Sequence, residues 1–451
     1  MNYTERLLAR QEAVGRPVRV ALVGAGQMGQ GLAAQINRMA GVHLSVVADV
    51  DPARAETAFA QDGVENVLVD DGSLPLDAAR AAVDDDRPLA LRGADSVPVL
   101  PVDVVVDATG VPDVGAELTL SSLLNGKDVV GLNVESDVTI GILLARIAQA
   151  TGQVYTIARG DEPVEAKKLV DYARDLSFEI ICAGKGKNNP FRPDETPDTL
   201  VAEAARKRMN PKMLCEFVDG SKAMIEMASL ANTTGLAVSR RGMHGPESTV
   251  PTLHETFRLV EDGGILDRPG VVDYCTGPVA PGVFAVIRSD HPYVIHEMDY
   301  LGMGSGPYFS LYRPYHLASI EAPLSIPEAV LDRTPSLVTE AWTAEVGAVA
   351  KRDLAPGEVL DGIGGFTVRG IIEDAGAFAA ERMVPLGVLN GARVVRPVRH
   401  GAALTYDDVE LKESATIVML RRLQDRLLAG GGLTATSALL AAGAVALPRS
   451  A

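Results

Sequence analysis

The sequence predicts an α/β protein in three folded parts: an N-terminal domain with a parallel sheet, a central α+β domain and a small C-terminal β domain. Apolar runs of strand length alternate with helical patterns over residues 1–152, which is typical of a parallel sheet covered on both faces. Strand and helix patterns mix with irregular segments over residues 153–337, and short strand signals broken by Gly and Pro follow over residues 338–428. We expect residues 429–451, which are rich in Ala and Gly, to form a flexible tail.

The composition excludes several classes of protein. The 451 residues are 47% hydrophobic and 22% charged, which is enough to fill more than one core. The net charge of −17 without any basic block argues against nucleic acid as a partner. No apolar stretch reaches the roughly 20 residues of a membrane-spanning helix, and the three cysteines are odd in number and widely spaced. We therefore expect a cytoplasmic protein without a membrane anchor or a disulfide framework.

The elements of the first domain follow in order. Strands are predicted at Val18–Val23, Val42–Ala48, Val102–Val106 and Lys127–Val130, and helices at Met28–Met39, after Asp51-Pro52, at Val114–Leu124 and at Ile140–Ala150. The segment 70–101 interrupts this alternation with Asp-Gly, three consecutive aspartates and several prolines. We expect it to be an insertion at the rim of the sheet.

A glycine-rich loop joins the first strand to the first helix. Gly24 permits the tight turn, Gly26 lets the backbone approach a pyrophosphate, and Gly29 lets the helix pack closely against the strand. Gln27 and Met28 open the helix, whose N-terminus would face the phosphates. The loop therefore predicts a dinucleotide-binding domain of the Rossmann type.

Residues beyond the loop bear on the choice of cofactor. Asp49 ends the second strand and is placed to accept the ribose hydroxyls of NAD, whereas Arg54 would suit the 2′-phosphate of NADP. The sequence leaves both NAD and NADP as candidate cofactors, and Asp49 favours NAD. Turns after two later strands are predicted to lie beside the nicotinamide, because ligands bind beyond the carboxyl ends of parallel strands; they contribute Thr109, Gly110, Asn133 and Glu135.

The central domain supplies candidate catalytic residues. Lys222 and Glu226 are four residues apart and share one face of a predicted helix. Hydride transfer to a carbonyl also requires a proton, which a lysine of depressed pKa held by a carboxylate can supply. We predict Lys222 as the proton donor or carbonyl polariser, held by Glu226, with Lys185 and His316 completing the polar wall. His316 is the other candidate acid or base. The alternative is a surface ion pair of little energetic value.

Other polar residues of this domain are candidates for binding a small anionic or carbonyl-bearing substrate. Arg313 stands three residues before His316 and suits an anion clamp. The further candidates are Lys187, Asn210, Lys212, Asp219 and Ser221. We also expect this domain to form a homo-oligomer. Acidic residues that could offer ligands to a divalent ion are Glu135, Asp137, Asp161 and Glu162, but their spacing fixes no metal site.

A set of motifs also carries a resemblance to a known family. They are GAGQMGQG, DATG, NVESD, GDEP, AGKGK, TPDT, MNPKM, FVDGSKAMIEMASLANTTGL, LYRPYHL and AKRDLAPGEVLDGIGGFTV. The chain resembles homoserine-dehydrogenase-like oxidoreductases with a C-terminal β-clip (SAF) domain, in particular the group similar to type II 1-deoxy-D-xylulose 5-phosphate reductoisomerases. The resemblance implies rearrangement of a ketose phosphate, then reduction with NADPH, with a divalent ion holding the hydroxy-ketone.

The sequence departs from true homoserine dehydrogenases at the helix that carries the resemblance. Those enzymes have an acid followed four residues later by the catalytic lysine, whereas here Lys222 precedes Glu226. The inverted order puts homoserine in doubt as the substrate. Two alternatives stay open: a dehydrogenase of a hydroxy acid or polyol that catalyses no rearrangement, and a nucleotide-sensing binding protein without turnover.

Overall fold

The computed structural model describes residues 1–430. The chain packs into two compact units. Among the described residues, unit 1 comprises 1–161, 317–338 and 419–430, and unit 2 comprises 162–316 and 339–418. The domain boundaries at residues 152, 337 and 428 stay predictions, and the predicted tail falls outside the described residues from position 431 on.

The strands and helices have the following bounds in chain order. The strands are β1 Val18–Val23, β2 Val42–Asp49, β3 Leu68–Val69, β4 Leu89–Arg92, β5 Val104–Asp107, β6 Asp128–Gly131, β7 Tyr155–Ile157, β8 Glu179–Gly186, β9 Val271–Cys275, β10 Val283–Arg288, β11 Tyr308–Arg313, β12 Ala344–Ala350, β13 Val368–Asp374, β14 Arg393–Val394 and β15 Val409–Glu410. The helices are α1 Tyr3–Val14, α2 Gln27–Ile36, α3 Pro52–Ala60, α4 Leu76–Asp84, α5 Pro112–Leu124, α6 Val134–Thr151, α7 Glu162–Asp175, α8 Val201–Lys207, α9 Pro211–Val218, α10 Ser221–Thr234, α11 Leu253–Thr256, α12 Pro292–Tyr300, α13 Ala318–Glu321, α14 Ser325–Pro327, α15 Ala375–Ala380 and α16 Thr416–Ala429. None of these helices is long and apolar enough to cross a membrane.

Unit 1 is built around a seven-stranded sheet in the order β3-β4-β2-β1-β5-β6-β7. All of its strand pairs are parallel. Every residue of β1 and β5 is buried, because strands covered on both faces need apolar side chains on both sides. The predicted parallel α/β fold is confirmed. The sheet includes β7, a strand that lies beyond the sequence-based boundary at residue 152.

The prediction that residues 70–101 form an insertion is wrong. This segment contains α4 and β4, and β4 pairs in parallel with β2, from Val46 against Leu89 to Asp49 against Arg92. The strand is only four residues long and stands between Pro88 and Gly93. Because the residues around this short strand are polar, the sequence pattern did not predict the helix and strand that the structure has here.

Unit 2 contains a mixed four-stranded sheet in the order β11-β10-β8-β9. Strands β8 and β9 run parallel, and β10 is antiparallel to both β8 and β11. Helices α7 and α10 pack together with this sheet. The helical pattern of the sequence predicts one helix from Pro211 to Thr233. The structure has two helices there, α9 and α10, because Gly220 takes a left-handed conformation with φ of +90° between them.

The C-terminal part of unit 2 consists of short antiparallel strand pairs. Strands β12 and β13 pair over their whole length, from Ala344 against Asp374 to Ala350 against Val368, and β14 pairs with β15. The prediction of a small β domain is confirmed here.

Candidate active site

The glycine-rich loop of unit 1 has the conformation that close approach of a ligand requires. Gly24 has φ of +95°, and a Cβ at this position would lie 2.7 Å from the backbone carbon of Ala108. A Cβ at Gly29 would lie 1.9 Å from the carbonyl oxygen of Gly24, so the helix can pack here only without a side chain. Gly26, the N-cap of α2, has no atom within 4 Å of where a Cβ would stand. This open position at a helix N-terminus fits the pyrophosphate of a dinucleotide.

Asp49 lies against the same loop. One of its carboxylate oxygens accepts a hydrogen bond from Ala25 N at 2.7 Å, and the other accepts one from Asp51 N at 3.0 Å. Arg54 is exposed, 3.6 Å from the carboxylate of Asp51, and its carbonyl accepts a hydrogen bond from Gln30 of α2. Asp49 thus contacts the loop and Arg54 contacts the helix that follows it, and the choice between NAD and NADP stays open.

We expect the substitution Asp49→Ala to weaken binding of NAD more than binding of NADP. Only NAD has a free 2′-hydroxyl that can donate to this carboxylate, and a hydrogen bond to a charged group contributes roughly 1.5–3 kcal/mol, about tenfold to a hundredfold in affinity. Titration with the reduced forms, NADH and NADPH, monitored by the fluorescence of the dihydronicotinamide, measures both affinities, with Asp51→Ala as the control. Equal weakening of the two, or a preference for NADPH in the unmodified protein, would contradict this role.

The turns after β5 and β6 form one hydrogen-bonded group. The buried carboxylate of Asp107 accepts bonds from Thr109 N at 2.9 Å, from the Thr109 hydroxyl at 2.6 Å and from the Asn133 amide at 3.2 Å. Burial raises the pKa of Asp107 despite these bonds. Asn133 also accepts a bond from Ser136 N and so caps α6, and Glu135 lies buried in the first turn of that helix. Thr109 and Asn133 therefore have internal partners; their contact with a cofactor stays a prediction, as does that of Gly110.

In unit 2, four polar residues from separate elements meet at the carboxyl end of β8. The Lys185 cluster consists of Glu162 at the start of α7, Lys185 on β8, Glu226 on α10 and His316 after β11. The Lys185 ammonium donates to Glu162 Oε1 at 2.6 Å and also to Glu226. His316 Nε2 lies 3.2 Å from the same Glu162 oxygen. The side chains of Lys185 and Glu226 are 9% and 2% exposed, so the charges interact away from bulk water.

The two carboxyl groups of the cluster have opposite pKa shifts. Burial opposes ionisation of Glu162, but the charges of Lys185 and His316 outweigh it and lower the pKa of Glu162 to about 2. Burial and the negative charge of Glu162 raise the pKa of Glu226, against the opposing charges of Lys185 and Lys222. Burial alone would lower the pKa of Lys185, but its two carboxylate neighbours raise it. Two acids whose pKa values are pushed apart suggest separate roles, an ionised anchor and a group that exchanges protons.

The predicted pairing of Lys222 with Glu226 is only part of what the structure shows. Glu226 forms its ion pair with Lys185, which comes from a neighbouring strand, while Lys222 acts on Glu226 through its charge. A lysine of depressed pKa is present at Lys187, where burial and the charge of Lys185 lower the pKa to about 8. Its ammonium donates to the carbonyls of Asn189 and Phe217, so Lys187 also holds the loop after β8.

Arg313 lies beside the Lys185 cluster but on a second acid. It forms an ion pair with Glu165, which stands one turn after Glu162 on α7, and Lys168 contacts the same carboxylate at 3.0 Å. The guanidinium also lies over the ring of Tyr315, 4.6 Å from its centroid. Arg313 is thus close to the cluster and already paired with an acid of the protein, and its role as an anion clamp for the substrate stays a prediction.

The remaining candidates for substrate binding have structural partners and stay predictions. Asn210 caps α9 by accepting a bond from Lys212 N, and the Lys212 ammonium donates to the carbonyl of Asp361 at 3.2 Å. Asp219 forms a buried ion pair with Lys351 at 2.7 Å. The Ser221 hydroxyl accepts a bond from Gly370 N of β13 at 2.8 Å. Asn210 thus stabilises the start of α9, while Lys212, Asp219 and Ser221 fasten α9 and α10 to the C-terminal β domain.

The sequence did not predict several of the ion pairs found in unit 2. The sequence indicates Glu162 only as a possible metal ligand, whereas the structure places it against Lys185 and His316. His244 and Asp273 form a further pair, with Nδ1 2.8 Å from the fully buried carboxylate. No local spacing signals this pair, because the two residues are brought together by β9 and a distant loop.

The Lys185 cluster includes donors of the type that a divalent cation prefers. Glu162 and Glu226 offer carboxylate oxygens within 4.8 Å of one another, and hard cations such as Mg²⁺ bind carboxylates. The residues therefore fit such an ion in donor type, and an ion there would polarise a hydroxy-ketone. Lys185 already places a positive charge between the same two carboxylates.

Comparison with known proteins identifies two domains. Residues 160–322 match the catalytic domain of oxidoreductase DRL, and residues 345–410 match the SAF domain. No curated protein matches the chain significantly. These matches confirm the predicted SAF domain, and the relation to homoserine dehydrogenases stays a prediction.

Solved structures with some likeness to the chain include three enzymes. Myo-inositol 2-dehydrogenase from Lactobacillus plantarum is 16% identical over 66% of this chain and 76% of that one, with a TM-score of 0.35. Scyllo-inositol dehydrogenase from Lactobacillus casei, with bound NAD(H) and scyllo-inositol, is 12% identical over 66% and 76%, with a TM-score of 0.34. A DOX-P reductoisomerase in complex with magnesium is 13% identical over 71% of each chain, with a TM-score of 0.42. At these TM-scores, the likenesses carry no argument about the substrate.

The match to an oxidoreductase catalytic domain, together with the nucleotide-binding geometry of unit 1, confirms the prediction of an NAD(P)-dependent oxidoreductase. It also weighs against the alternative of a binding protein without turnover.

Proposed function

We propose that this protein transfers a hydride between NAD(P) and a small polar hydroxy-carbonyl compound, a sugar phosphate of the 1-deoxy-D-xylulose 5-phosphate type. The observation that supports this function most strongly is the Lys185 cluster, in which a buried ammonium is held by two acids of opposite pKa shift. Such an arrangement suits a reaction in which a carbonyl oxygen gains or loses a proton.

Each residue of the cluster has a distinct task in this proposal. Glu162 stays ionised and fixes the Lys185 ammonium, which stabilises negative charge developing on the substrate oxygen. Glu226, whose pKa is raised, gives a proton to that oxygen during reduction and takes it back during oxidation. His316 orients Glu162 from the other side. The nicotinamide, when bound in unit 1, supplies or accepts the hydride.

In this proposal, Lys222 lowers the pKa of Glu226 through its charge. This role replaces the predicted role of Lys222 as proton donor. We expect Lys222→Met to raise the pKa of Glu226 further, because the charge of Lys222 lowers it. The decline of the reduction rate at high pH should move to higher pH, while the maximal single-turnover rate changes less than in a Glu226 variant. A loss as large as that of Glu226→Gln, without displacement of the profile, would restore Lys222 as the donor.

The function is tested by following nicotinamide absorbance with candidate substrates. We expect oxidation of NADPH or NADH with 1-deoxy-D-xylulose 5-phosphate, and no reduction of NAD or NADP with homoserine. Analysis of the product distinguishes reduction after rearrangement from simple reduction of the ketone. Turnover of polyols alone would favour the dehydrogenase without rearrangement, and absence of turnover with every hydroxy-carbonyl compound would overturn the proposal.

A further inference from the structure

Arg369, on β13 of the C-terminal β domain, is a half-buried cation whose acidic neighbours are already engaged. The charges of Asp219 and Asp194 act on its guanidinium. Asp219, however, forms its ion pair with Lys351 at 2.7 Å, and Asp194 lies 2.9 Å from His400 Nε2. Within residues 1–430, no carboxylate oxygen lies within 4.0 Å of the Arg369 guanidinium, which has no hydrogen bond to protein.

An aromatic ring positions this guanidinium. Its central carbon lies 5.6 Å from the centroid of the Phe191 ring, a distance at which a cation is attracted by the ring face. The edge of Phe191 packs against Gly220, where a Cβ would lie 2.7 Å from the ring. Stacking on a ring orients a guanidinium and leaves its N–H donors available, and those donors match the oxygens of phosphate or carboxylate groups.

Tyr274 provides a second unused polar group close to Arg369. The residue is 6% exposed, and its hydroxyl has no hydrogen-bond partner in the described part of the chain. The charge of Arg369 acts on this phenol. The hydroxyl end of the ring packs against Gly245, where a Cβ would lie 2.3 Å from it, so the fold keeps room for a tyrosine here.

Tyr274 links this pair of groups to the Lys185 cluster. Tyr274 of β9 stands directly beside Lys185 of β8 in the parallel register, and paired residues of neighbouring strands project from the same face, about 4.8 Å apart. The side chains of Tyr274 and Lys185 therefore leave the sheet on the same face, from neighbouring positions.

We propose that Arg369 and Tyr274 form an oxyanion subsite that binds the anionic group, phosphate or carboxylate, of a substrate whose reacting carbon lies at the Lys185 cluster. The placement of the reacting carbon at the Lys185 cluster rests on the proposed function. The subsite itself gives the C-terminal β domain a direct role in recognising the substrate. Phosphate and carboxylate groups both present anionic oxygens. These oxygens accept hydrogen bonds from the guanidinium and from the phenol of the subsite.

The test measures binding of inorganic phosphate and, separately, of acetate to the full-length protein by isothermal titration calorimetry, without nicotinamide or turnover. We expect Arg369→Met to weaken the preferred anion by about tenfold to a hundredfold. Tyr274→Phe, which removes one hydrogen bond and retains the ring, should weaken it by roughly threefold to tenfold. The matched control is Arg393→Gln, in the same β domain, whose guanidinium donates to the carbonyl of Gly357; it should leave the affinity unchanged.

Unchanged anion affinity in both Arg369→Met and Tyr274→Phe overturns the subsite, as does an equal loss in Arg393→Gln, which would indicate a general effect of charge. If Arg369→Met does not fold, the Tyr274→Phe and Arg369→Lys variants carry the test. Anion binding that depends on Arg369 in a protein without turnover would leave the subsite standing while the proposed function fails. If the protein turns over a substrate and Arg369→Met leaves its KM unchanged, the proposed subsite is refuted and the proposed function is retained.

Discussion

The substitution Glu226→Gln is expected to slow the chemical step by about 10²–10⁴-fold, the usual effect of losing a positioned acid or base. The amide is nearly isosteric with the acid and still accepts a hydrogen bond from Lys185, so the fold should survive. It cannot exchange a proton, however. Stopped-flow measurement of hydride transfer in a single turnover gives the rate, and binding of NAD(P) in unit 1 should stay unchanged.

Glu255→Gln is the matched control for this prediction. Glu255 is an exposed acid on α11 of unit 2, so the same chemical change there should leave the single-turnover rate unaltered. A Glu226→Gln protein with normal affinity for NAD(P) and an unaltered rate would show that Glu226 only holds Lys185. The acid would then have to be sought at His316.

The substitution Lys351→Met is expected to have the largest effect on stability. The side chains of Lys351 and Asp219 are 1% and 0% exposed, and removing Lys351 leaves the Asp219 carboxylate buried without a counter-charge. Burial already raises the pKa of Asp219, and the charge of Lys351 opposes that rise. Breaking a buried pair in this way costs about 3–5 kcal/mol in the free energy of unfolding, measured with urea.

Two further variants separate the ion pair from simple loss of packing. The double variant Asp219→Asn with Lys351→Met removes both charges and should recover part of the lost stability. Arg352→Gln breaks the neighbouring exposed pair with Glu358, at 2.6 Å, and should cost at most about 1 kcal/mol. A loss below that value in Lys351→Met would show that water reaches the pair.

The sequence was most informative where structure is local. The apolar run at β1, the glycine loop and Asp49 at the end of β2 were all predicted at their positions, because strand burial and a tight βα turn impose their own residue types. The strand β4 was missed because four residues between Pro88 and Gly93 carry too little periodicity to outweigh a polar surrounding.

The candidate site was only partly predictable, because its contacts are not local. Helical spacing correctly placed Lys222 and Glu226 on one helix, but the partner of Glu226 is Lys185, 41 positions away on a strand. The residues Asn210 and Ser221 have polar side chains in a suggestive segment, yet they cap or anchor helices. Residue type and spacing cannot separate a structural hydrogen bond from one to a substrate, since both need the same donors and acceptors.

The proposed role of Glu226 is tested most directly by the pH dependence of the single-turnover rate of carbonyl reduction, compared between the unmodified protein and Glu226→Gln. As a general acid, Glu226 must be protonated, so the rate of the unmodified protein should fall as the pH rises through the raised pKa of this group. We expect that fall to be absent in Glu226→Gln, whose low rate should be independent of pH over the same interval. A fall with the same midpoint in both proteins would contradict the assignment of Glu226 as the proton donor.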